Sequence, residues 1–228
     1  MLVEIWSDIA CPWCYIGKRR FERALAEFEH RDDVQVRWRS FELDPAAPRE
    51  VEGERNARIA AKYGVTIEQA RAMEGRMVGA AAAEGLDFRF AITRAGTTFD
   101  AHRIVALARE RGLQDEMKER LLHAYFTEGE LMSDHETLVR LAVEAGLDRR
   151  ESAATLAGER FGDAVRADER AAAALGINAV PTFIVDRTIG VSGAQPPPEL
   201  LALLAQGWDA RSGETPVAVG ESCAADDC

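Results

Sequence analysis

Near the start of the chain, apolar and polar positions alternate in two stretches and follow helical spacing in the stretch between them. Residues 2–7, LVEIWS, and residues 34–43, VQVRWRSFEL, change between apolar and polar side chains at most positions, which predicts two strands. From Trp13 to Phe28, apolar side chains recur at helical spacing, which predicts an amphipathic helix. The chain therefore opens in the order strand, helix, strand.

The rest of the chain predicts a helical block followed by a second pair of strands. After the proline-rich residues 44–50, DPAAPRE, helical spacing dominates to about residue 155, and only residues 86–90, LDFRF, favour a strand. Another helix is expected over residues 161–175. Two runs rich in β-branched side chains, TFIVD and TIGVS, then predict a hairpin, and PPPELLALLAQGW begins a last helix.

The strand–helix–strand segment at the start of the chain and the helix–hairpin–helix segment at its end are the two flanks of the helical block. Together they predict an α/β fold, with one mixed sheet, helices on its faces and a large all-helical insertion. We expect residues 1–50 and 161–210 to form one discontinuous sheet domain, and residues 51–160 to form the helical insertion domain. Residues 211–228 carry little apolar pattern and are expected to be a flexible C-terminal tail. Because both ends of the chain belong to one sheet domain, this arrangement allows cysteines in the tail to come near those at the first strand–helix junction.

Charge and hydropathy exclude several classes of partner. The formal net charge is −11, which disfavours nucleic acids and anionic membranes because both would repel such a surface. The first residues, MLVEIWSDIA, lack the basic and apolar regions of a signal peptide, and no stretch is apolar enough to predict a membrane span. We therefore expect a cytoplasmic protein that binds neither nucleic acid nor membrane.

Four cysteines, Cys11, Cys14, Cys223 and Cys228, lie near the two ends of the chain. In a reducing compartment such thiols are more often catalytic or metal-binding than structural. Cys11 falls where the first helix should begin, and unpaired N–H groups and the helix dipole there should lower the pKa of its thiol. Pro12 suits the first helical turn. Cys14, about one turn along, could resolve a mixed disulfide formed at Cys11.

Other roles for these residues stay open on spacing alone. Cys223 and Cys228 could nominally complete a four-thiolate zinc site, although the polar tail has no knuckle pattern. The same two thiols could instead be a second redox pair that relays electrons to the first pair, or belong to an inert end. Asp8, three residues before Cys11, would weaken the thiolate, relay protons or only make a turn contact.

Pro181 directly precedes a predicted strand in the segment AVPTF. Alone, such a proline is an ordinary strand start. With CPWC upstream at a helix start, the pattern favours a thioredoxin-like arrangement in which a cis proline faces the cysteines. The backbone of Val180 would then be free to pair with an extended peptide.

Five motifs together resemble the DsbA-like thioredoxin-fold oxidoreductases of the FrnE type: D-x-x-CPWCYIGK, FDAHR, AYFTEGE, VPTF and SGAQ. The resemblance covers about residues 1–207 and implies a thioredoxin domain with a helical insertion. It also implies a nucleophilic Cys11, a resolving Cys14 and a cis Pro181. Related kappa glutathione transferases and 2-hydroxychromene-2-carboxylate isomerases generally carry serine in place of Cys11. His102 in FDAHR would face the cleft by this resemblance, with a purely structural histidine as the alternative.

We therefore predict a thiol–disulfide oxidoreductase or disulfide isomerase that acts on protein or small-molecule disulfides. The alternatives are a glutathione-dependent isomerase or transferase and a zinc-bridged binding module. Glutathione is a possible co-substrate, no tightly bound cofactor or metal is expected, and the protein would be a monomer or homodimer. The secreted relatives commonly carry histidine between the cysteines, so the uncharged Trp13 should make a weaker oxidant. Residues expected to shape the site are Asp8, Pro12, Trp13, Val180 and Pro181.

Overall fold

The computed structural model describes residues 1–212, and within them the strands form one four-stranded sheet. Their bounds are Leu2–Ser7 (β1), Gln35–Ser40 (β2), Thr182–Val185 (β3) and Ile189–Ser192 (β4). The strand order is β2–β1–β3–β4. β1 runs parallel to β2 and antiparallel to β3, and β3 and β4 form an antiparallel hairpin. The central strand β1 therefore joins the first and last thirds of the chain, which confirms the predicted mixed sheet.

Helices account for most of the remaining described chain. Their bounds are Pro12–Glu27 (α1), Arg55–Tyr63 (α2), Ile67–Ala83 (α3), Phe99–Glu110 (α4), Gln114–His123 (α5), His135–Glu144 (α6), Arg149–Ala157 (α7), Gly162–Ala174 (α8) and Pro197–Ser212 (α9). A 3₁₀ turn covers Arg31–Asp33, and a π-helical turn, Ala124–Glu128, continues α5. Over the described residues, every helix falls short of the length or apolarity that a membrane crossing needs.

The strand predicted from LDFRF at residues 86–90 is wrong. This segment belongs to no sheet, and its backbone meets the π-helical turn instead, where the Arg89 N–H donates to the Phe126 carbonyl at 2.7 Å. The apolar side chains Leu86, Phe88 and Phe90 are buried. The Phe88 and Phe126 rings stack with centroids 4.5 Å apart. The alternation therefore reflects packing into the core and not membership of a sheet.

The alternation of β1 sends its side chains to two different faces of the sheet. Val3 and Ile5 join the main apolar cluster, on the face covered by α1 and α9. Trp6 points to the other face, where its indole N–H donates to the Asp168 carbonyl of α8 at 3.0 Å. Both faces of the central strand are consequently buried, which fixes the position of the loop that follows it.

Helices α2–α7 lie between β2 and α8 in the chain, as the predicted helical insertion requires. Their apolar side chains are continuous with those of the sheet: Ile104, Leu121 and Leu141 belong to the same buried cluster as Ile5. The division into a sheet domain and an insertion domain stays a prediction.

Candidate active site

Cys11 and Cys14 lie at the junction between β1 and α1, where the sequence predicts them. Cys11 is the residue that caps α1, with extended backbone angles (φ −89°, ψ 114°), and Pro12 occupies the first turn. The Cys14 N–H donates to the Cys11 carbonyl at 3.1 Å, which closes that turn. Both residues carry free thiols, and both are buried, with 4% and 0% of their surface exposed. The first turn of α1 therefore presents two adjacent thiols.

The loop before β3 meets this turn. The peptide bond between Val180 and Pro181 is cis. The Cys11 thiol donates to the Val180 carbonyl oxygen, with 3.5 Å between sulfur and oxygen. Gly17, one turn beyond Cys14, allows the close approach of α1 to Pro181, because a Cβ atom on Gly17 would come within 2.8 Å of Pro181 Cγ. The structure thus brings together the two motifs that the sequence places at opposite ends of the chain.

Apolar side chains surround the two sulfurs. The buried members of this cluster are Trp6, Cys11, Cys14, Ala172 and Val180, and Trp13, Phe41, Ala171, Ile177 and Ile184 pack against it. Trp13, between the two cysteines, is half-buried. An apolar surround raises the cost of any charge formed on sulfur and strengthens the effect of any charge nearby.

The environment of Cys11 contradicts the expectation that the helix start lowers its pKa. The hydrogen bond with Cys14, burial and the charge of Cys14 raise the pKa of the Cys11 thiol well above its ordinary value, and Asp8 contributes in the same direction. The Cys14 backbone N–H acts in the opposite direction, because its hydrogen bond favours the thiolate and lowers the pKa of Cys11. Two adjacent buried thiols can hold one negative charge between them but resist a second. The helix start alone therefore does not activate this thiol.

Asp8 makes both the turn contacts and the electrostatic contribution that the sequence left open. Its carboxylate accepts hydrogen bonds from the Leu43 N–H at 2.8 Å and the Ala10 N–H at 3.3 Å. Its Oδ1 atom also lies 3.4 Å from His102 Nε2. Burial raises the pKa of Asp8, but the hydrogen bonds from His102 and Leu43 outweigh it, so the net direction is below the ordinary value. Asp8 is consequently ionised at neutral pH.

His102 does not line an open cleft, in contrast to what the family resemblance implies. The ring is 1% exposed and lies behind Asp8. Burial lowers the pKa of His102 more than the bond with Asp8 raises it, so the imidazole is neutral at pH 7. His102 therefore supports the loop of Asp8 and does not itself reach solvent.

Lys118 of α5 is a charged neighbour of the cysteines that sequence reasoning missed. Its side chain is 1% exposed, and its Nζ donates to the Ser7 carbonyl at 3.3 Å. Burial lowers the pKa of Lys118 to about 8, and the negative charges that act on it are Cys14, Asp8 and Cys11. A signal did exist: Lys118 shares a helix face with the apolar Met117 and Leu121.

Two further carboxyl groups, of the buried Glu42 and the half-buried Glu169, lie close together. Glu42, directly before Leu43, is buried, and both it and Glu169 of α8 accept a hydrogen bond from Arg166 Nη1 at 2.7 Å. Burial and a hydrogen bond with Glu169 raise the pKa of Glu42 to about 7, although Arg166 opposes the shift. Sequence patterns gave no indication of this pair.

A cavity of about 330 Å³ opens beside the cysteine loop. Asp8 and Ala10 line it from that loop, and Arg58, Lys62 and Tyr125 line it from the helical region. The lining therefore carries two cations, Arg58 and Lys62, and two carboxylates, Asp8 and Asp44.

Cys223 and Cys228 lie outside the described residues. In residues 1–212, no three histidine, cysteine, aspartate or glutamate side chains lie close enough together to hold a metal ion. The zinc-bridged alternative thus depends on the tail and stays a prediction.

Comparison with known proteins gives one family and several related folds. A family model described as a DSBA-like thioredoxin domain matches residues 2–205. The crystal structure of a probable DsbA oxidoreductase from Streptomyces coelicolor is 47% identical, has a TM-score of 0.88 and covers 99% of this chain and 97% of its own.

Two more distant structures share the fold. One is a 2-hydroxychromene-2-carboxylate isomerase, with 14% identity, a TM-score of 0.69 and coverage of 95% of this chain and 100% of its own. The other is the cytosolic disulfide reductase DsbM from Pseudomonas aeruginosa with GSH, with 18% identity, a TM-score of 0.64 and coverage of 90% and 98%.

Proposed function

Because the chain belongs to the family of DSBA-like thioredoxin domains, we propose that it is a thiol–disulfide oxidoreductase whose redox pair is Cys11 and Cys14. Cys11 attacks a substrate disulfide, which forms a mixed disulfide and releases one substrate thiolate. Cys14 then attacks Cys11 Sγ, which closes the Cys11–Cys14 disulfide and releases the second thiolate. The observation that carries this proposal is the pair of free thiols in the first turn of α1, with the Cys11 thiol against the Val180 carbonyl.

The substrates we propose are disulfides in proteins or small molecules. An extended segment on either side of a substrate disulfide would contact the Val180 backbone beside Cys11. Trp13, Phe41 and Ile177, which pack against the sulfur cluster, offer apolar contacts to such a segment. These contacts are the same for many sequences, so broad specificity is expected.

We place the activity in the cytoplasm, with reduction or isomerisation favoured over net oxidation. Trp13 brings no positive charge to the pair, unlike the histidine common in the secreted relatives. If the potential of the pair is about −200 mV in a cytosol poised at about −260 mV, the dithiol exceeds the disulfide roughly a hundredfold. The shared fold of the cytosolic disulfide reductase DsbM from Pseudomonas aeruginosa is consistent with this direction.

The deciding experiment measures the reactivation of a protein with scrambled disulfides and the reduction of a small disulfide, with single cysteine variants. Cys11→Ser should abolish both reactions. Cys14→Ser should accumulate a mixed disulfide between Cys11 and the substrate, detectable by mass spectrometry. A Cys11→Ser variant that stays as active as the unaltered chain would refute the proposal. Sedimentation of the same samples would decide between monomer and homodimer.

The second candidate is a glutathione-dependent isomerase or transferase that acts on a small molecule. The cavity beside Asp8 favours it, because Arg58 and Lys62 could hold the carboxylates of glutathione as a co-substrate. Such chemistry needs one activated thiol and not two. The test measures turnover of a small-molecule substrate in the presence of glutathione. Full turnover by Cys14→Ser and loss of turnover in Cys11→Ser would favour this candidate over disulfide exchange.

We propose the thiols of Cys223 and Cys228 as a second redox pair. A tethered dithiol reaches an effective concentration on the order of millimolar at its target. Replacing Cys223 and Cys228 with serine should then slow turnover and change the redox titration of the first pair. Unchanged values in the double variant would rule out the relay.

A further inference from the structure

We propose that Arg20 is a positioning residue for extended substrates: it holds the turn that supports the loop beside Cys11, and it ties that turn to α3. This inference rests on the proposed function, in which a substrate segment contacts the Val180 backbone. It also gives a role to the motif SGAQ. The contacts run from Cys11 outward through the Val180 loop (residues 179–182) and the SGAQ turn (residues 192–195) to Arg20.

The Val180 loop takes its hydrogen bonds from the SGAQ turn. The Gly193 N–H donates to the Pro181 carbonyl at 2.7 Å. The Thr182 hydroxyl donates to the Ala179 carbonyl at 2.8 Å and accepts from the Ser192 hydroxyl at 2.6 Å. The residues on both sides of Val180 are therefore held by the turn, and a displaced turn would displace the Val180 backbone.

The SGAQ turn is closed by its own hydrogen bonds but leaves one carbonyl for an outside partner. Gly193 has a φ of 88°, in the left-handed region that favours glycine. The Gln195 N–H donates to the Gly193 carbonyl at 2.9 Å, and the Gln195 side-chain amide donates to the Ser192 carbonyl at 2.7 Å. The carbonyl of Ala194 takes no part in this closure and accepts from Arg20 instead.

The Arg20 guanidinium bonds the turn and α3 at the same time. Its Nη1 donates to the Ala194 carbonyl at 2.5 Å, and its Nε donates to Glu84 Oε1 at 2.8 Å. Glu84 is the residue that ends α3, and its side chain is 6% exposed. Because the guanidinium is planar and both bonds start from it, the position of Glu84 sets where Arg20 holds the turn.

The packing of α1 brings Arg20 to this place. Gly17, three residues earlier, lies on the same side of the helix. A Cβ atom on Gly17 would lie 2.8 Å from Pro181 Cγ and 3.6 Å from Ala194 Cα. The helix that begins at Cys11 therefore contacts both the Val180 loop and the SGAQ turn. Arg20 adds hydrogen bonds to a contact that Gly17 makes by its small size.

The arrangement matters for extended substrates and not for small ones. An extended segment is bound through main-chain hydrogen bonds, whose strength depends on distance and angle, so it needs the Val180 backbone in place. A small symmetrical disulfide has no such segment and needs only the Cys11 sulfur. Loss of the Arg20 contact should consequently impair the reaction with an extended peptide more than the reaction with a small disulfide.

Arg23 of α1 provides a matched control. Its Nη1 donates to Oε2 of the same Glu84 carboxylate at 2.9 Å, and its side chain is 60% exposed. Over residues 1–212, Arg23 makes no hydrogen bond to the SGAQ turn. Removing either arginine takes one partner from Glu84, but only the removal of Arg20 takes the partner of the Ala194 carbonyl.

The test compares Arg20→Met, Arg20→Lys and Arg23→Met in the full chain, with Cys223 and Cys228 replaced by serine so that one thiol pair reacts. Two substrates share a leaving group: an extended peptide whose single cysteine is disulfide-bonded to a chromophoric aromatic thiol, and the symmetrical disulfide of that thiol. The readout is the ratio of the two rate constants for release of the chromophore by the reduced protein. A misfolded fraction lowers both constants alike, so the ratio reports on the recognition of the peptide.

We expect Arg20→Met to lower this ratio about three- to tenfold, the effect of one hydrogen bond. Arg20→Lys keeps the charge beside Glu84 but replaces the planar guanidinium by a single nitrogen, so it should lower the ratio as well. Arg23→Met should leave the ratio within about twofold of that of the unaltered chain. Hydrogen exchange, followed by mass spectrometry over residues 189–195, should accelerate in the two Arg20 variants and not in Arg23→Met.

An unchanged ratio in a folded Arg20→Met protein would overturn this inference. If that variant does not fold, an unchanged ratio in Arg20→Lys would do the same, and so would an equal fall in Arg23→Met. Failure of the proposed function would look different: the unaltered chain would release the chromophore from neither substrate. Hydrogen exchange in the SGAQ turn would still report whether Arg20 holds it.

Discussion

Gly17 of α1 lies directly against Pro181, so that a Cβ atom on Gly17 would come within 2.8 Å of Pro181 Cγ. The same hypothetical atom would be 3.5 Å from the end of the Phe183 ring, at the start of β3. The missing side chain therefore sets how closely the helix that carries the cysteines approaches the loop that carries Val180. This contact links the packing of the sheet to the geometry of the redox pair.

Gly17→Ala should consequently destabilise the fold and slow disulfide exchange. The substitution gains about 1 kcal/mol of helix propensity, but overpacking of a buried site typically costs 1–3 kcal/mol. We expect a net loss of about 1 kcal/mol in the free energy of unfolding, measured with urea, and a several-fold loss in turnover. Gly79→Ala in α3 is the control: no atom lies within 4 Å of that position, so the same change should stabilise. Equal effects at the two glycines would contradict the packing argument.

Local patterns predicted the sheet and the redox loop because each of these features depends on residues that are close together in sequence. The alternation of β1, the helical spacing after it and the CPWC turn are each visible within a dozen residues of Cys11. The cis bond before Pro181 could be expected because two such local motifs occur in one chain. The strand predicted at residues 86–90 does not form, because an alternation of apolar and polar side chains does not by itself supply a partner strand.

The electrostatics of the site could not be predicted, because they depend on contacts between distant parts of the chain. Lys118 meets the Ser7 carbonyl across a separation of 111 residues, and Glu42 meets Arg166 across 124. In sequence, Lys118 shares a helix face with Met117 and Leu121, which indicates burial, but no local pattern indicates which groups it meets. The predicted fall in the pKa of Cys11 was wrong for the same reason, since burial and the neighbouring thiol outweigh the helix start.

Asp8→Asn should make Cys11 more reactive and the protein less stable. Removing this negative charge takes away one of the causes that raise the pKa of the Cys11 thiol, so alkylation by iodoacetamide at pH 7 should accelerate severalfold. The amide retains fewer acceptor positions for Leu43 and Ala10, which should cost about 1–2 kcal/mol.

The pH dependence of stability gives the matching control for Asp8. Its pKa is depressed below 3.8 in the folded chain, so its stabilising contribution is present above that value and is lost as pH falls through the folded pKa. The variant should therefore differ from the unaltered chain less at pH 2 than at pH 7. An alkylation rate at pH 7 that is unchanged or slower would show that Asp8 does not restrain Cys11.

Glu42→Gln should remove a loss of stability that the unaltered protein suffers between about pH 4.5 and 7. The pKa of Glu42 is raised from 4.5 to about 7, so the protonated form is favoured in the fold, and stability falls as pH rises through this window. Relative to the unaltered chain, the variant should gain on the order of 2 kcal/mol between pH 5 and pH 8. Urea unfolding at a series of pH values measures this difference.

Glu50→Gln is the matched control for Glu42, because the exposed Glu50 pairs with Arg94 and its pKa is lowered rather than raised. No gain with rising pH is expected there. Parallel pH profiles for Glu42→Gln and the unaltered chain would mean that Glu42 is already ionised in the fold at pH 5.

Lys118→Met should stabilise the protein at neutral pH. The pKa of Lys118 falls from 10.5 in an unfolded chain to about 8 in the fold, so the folded state disfavours its charge. Stability of the unaltered protein should therefore rise as pH increases from about 8 to 10.5, because the unfolded chain holds the proton more tightly over that window. A methionine neither titrates nor needs a counter-charge, so at pH 7 the variant should gain about 1–3 kcal/mol. Its advantage should shrink above pH 8, as neutral lysine relieves the same cost.

Lys18→Met separates this effect from the loss of any buried lysine. Its ammonium group has three carboxylate partners, which are half-buried or exposed, so removing it breaks these ion pairs and should destabilise by about 1 kcal/mol. Urea unfolding of both variants in reductant, from pH 6 to pH 10, measures the contrast. Opposite signs at pH 7 would show that Lys118, unlike Lys18, is a buried cation without a carboxylate partner among residues 1–212. Destabilisation by Lys118→Met at pH 7 to the same extent as Lys18→Met would instead show that Lys118 is an ordinary structural cation.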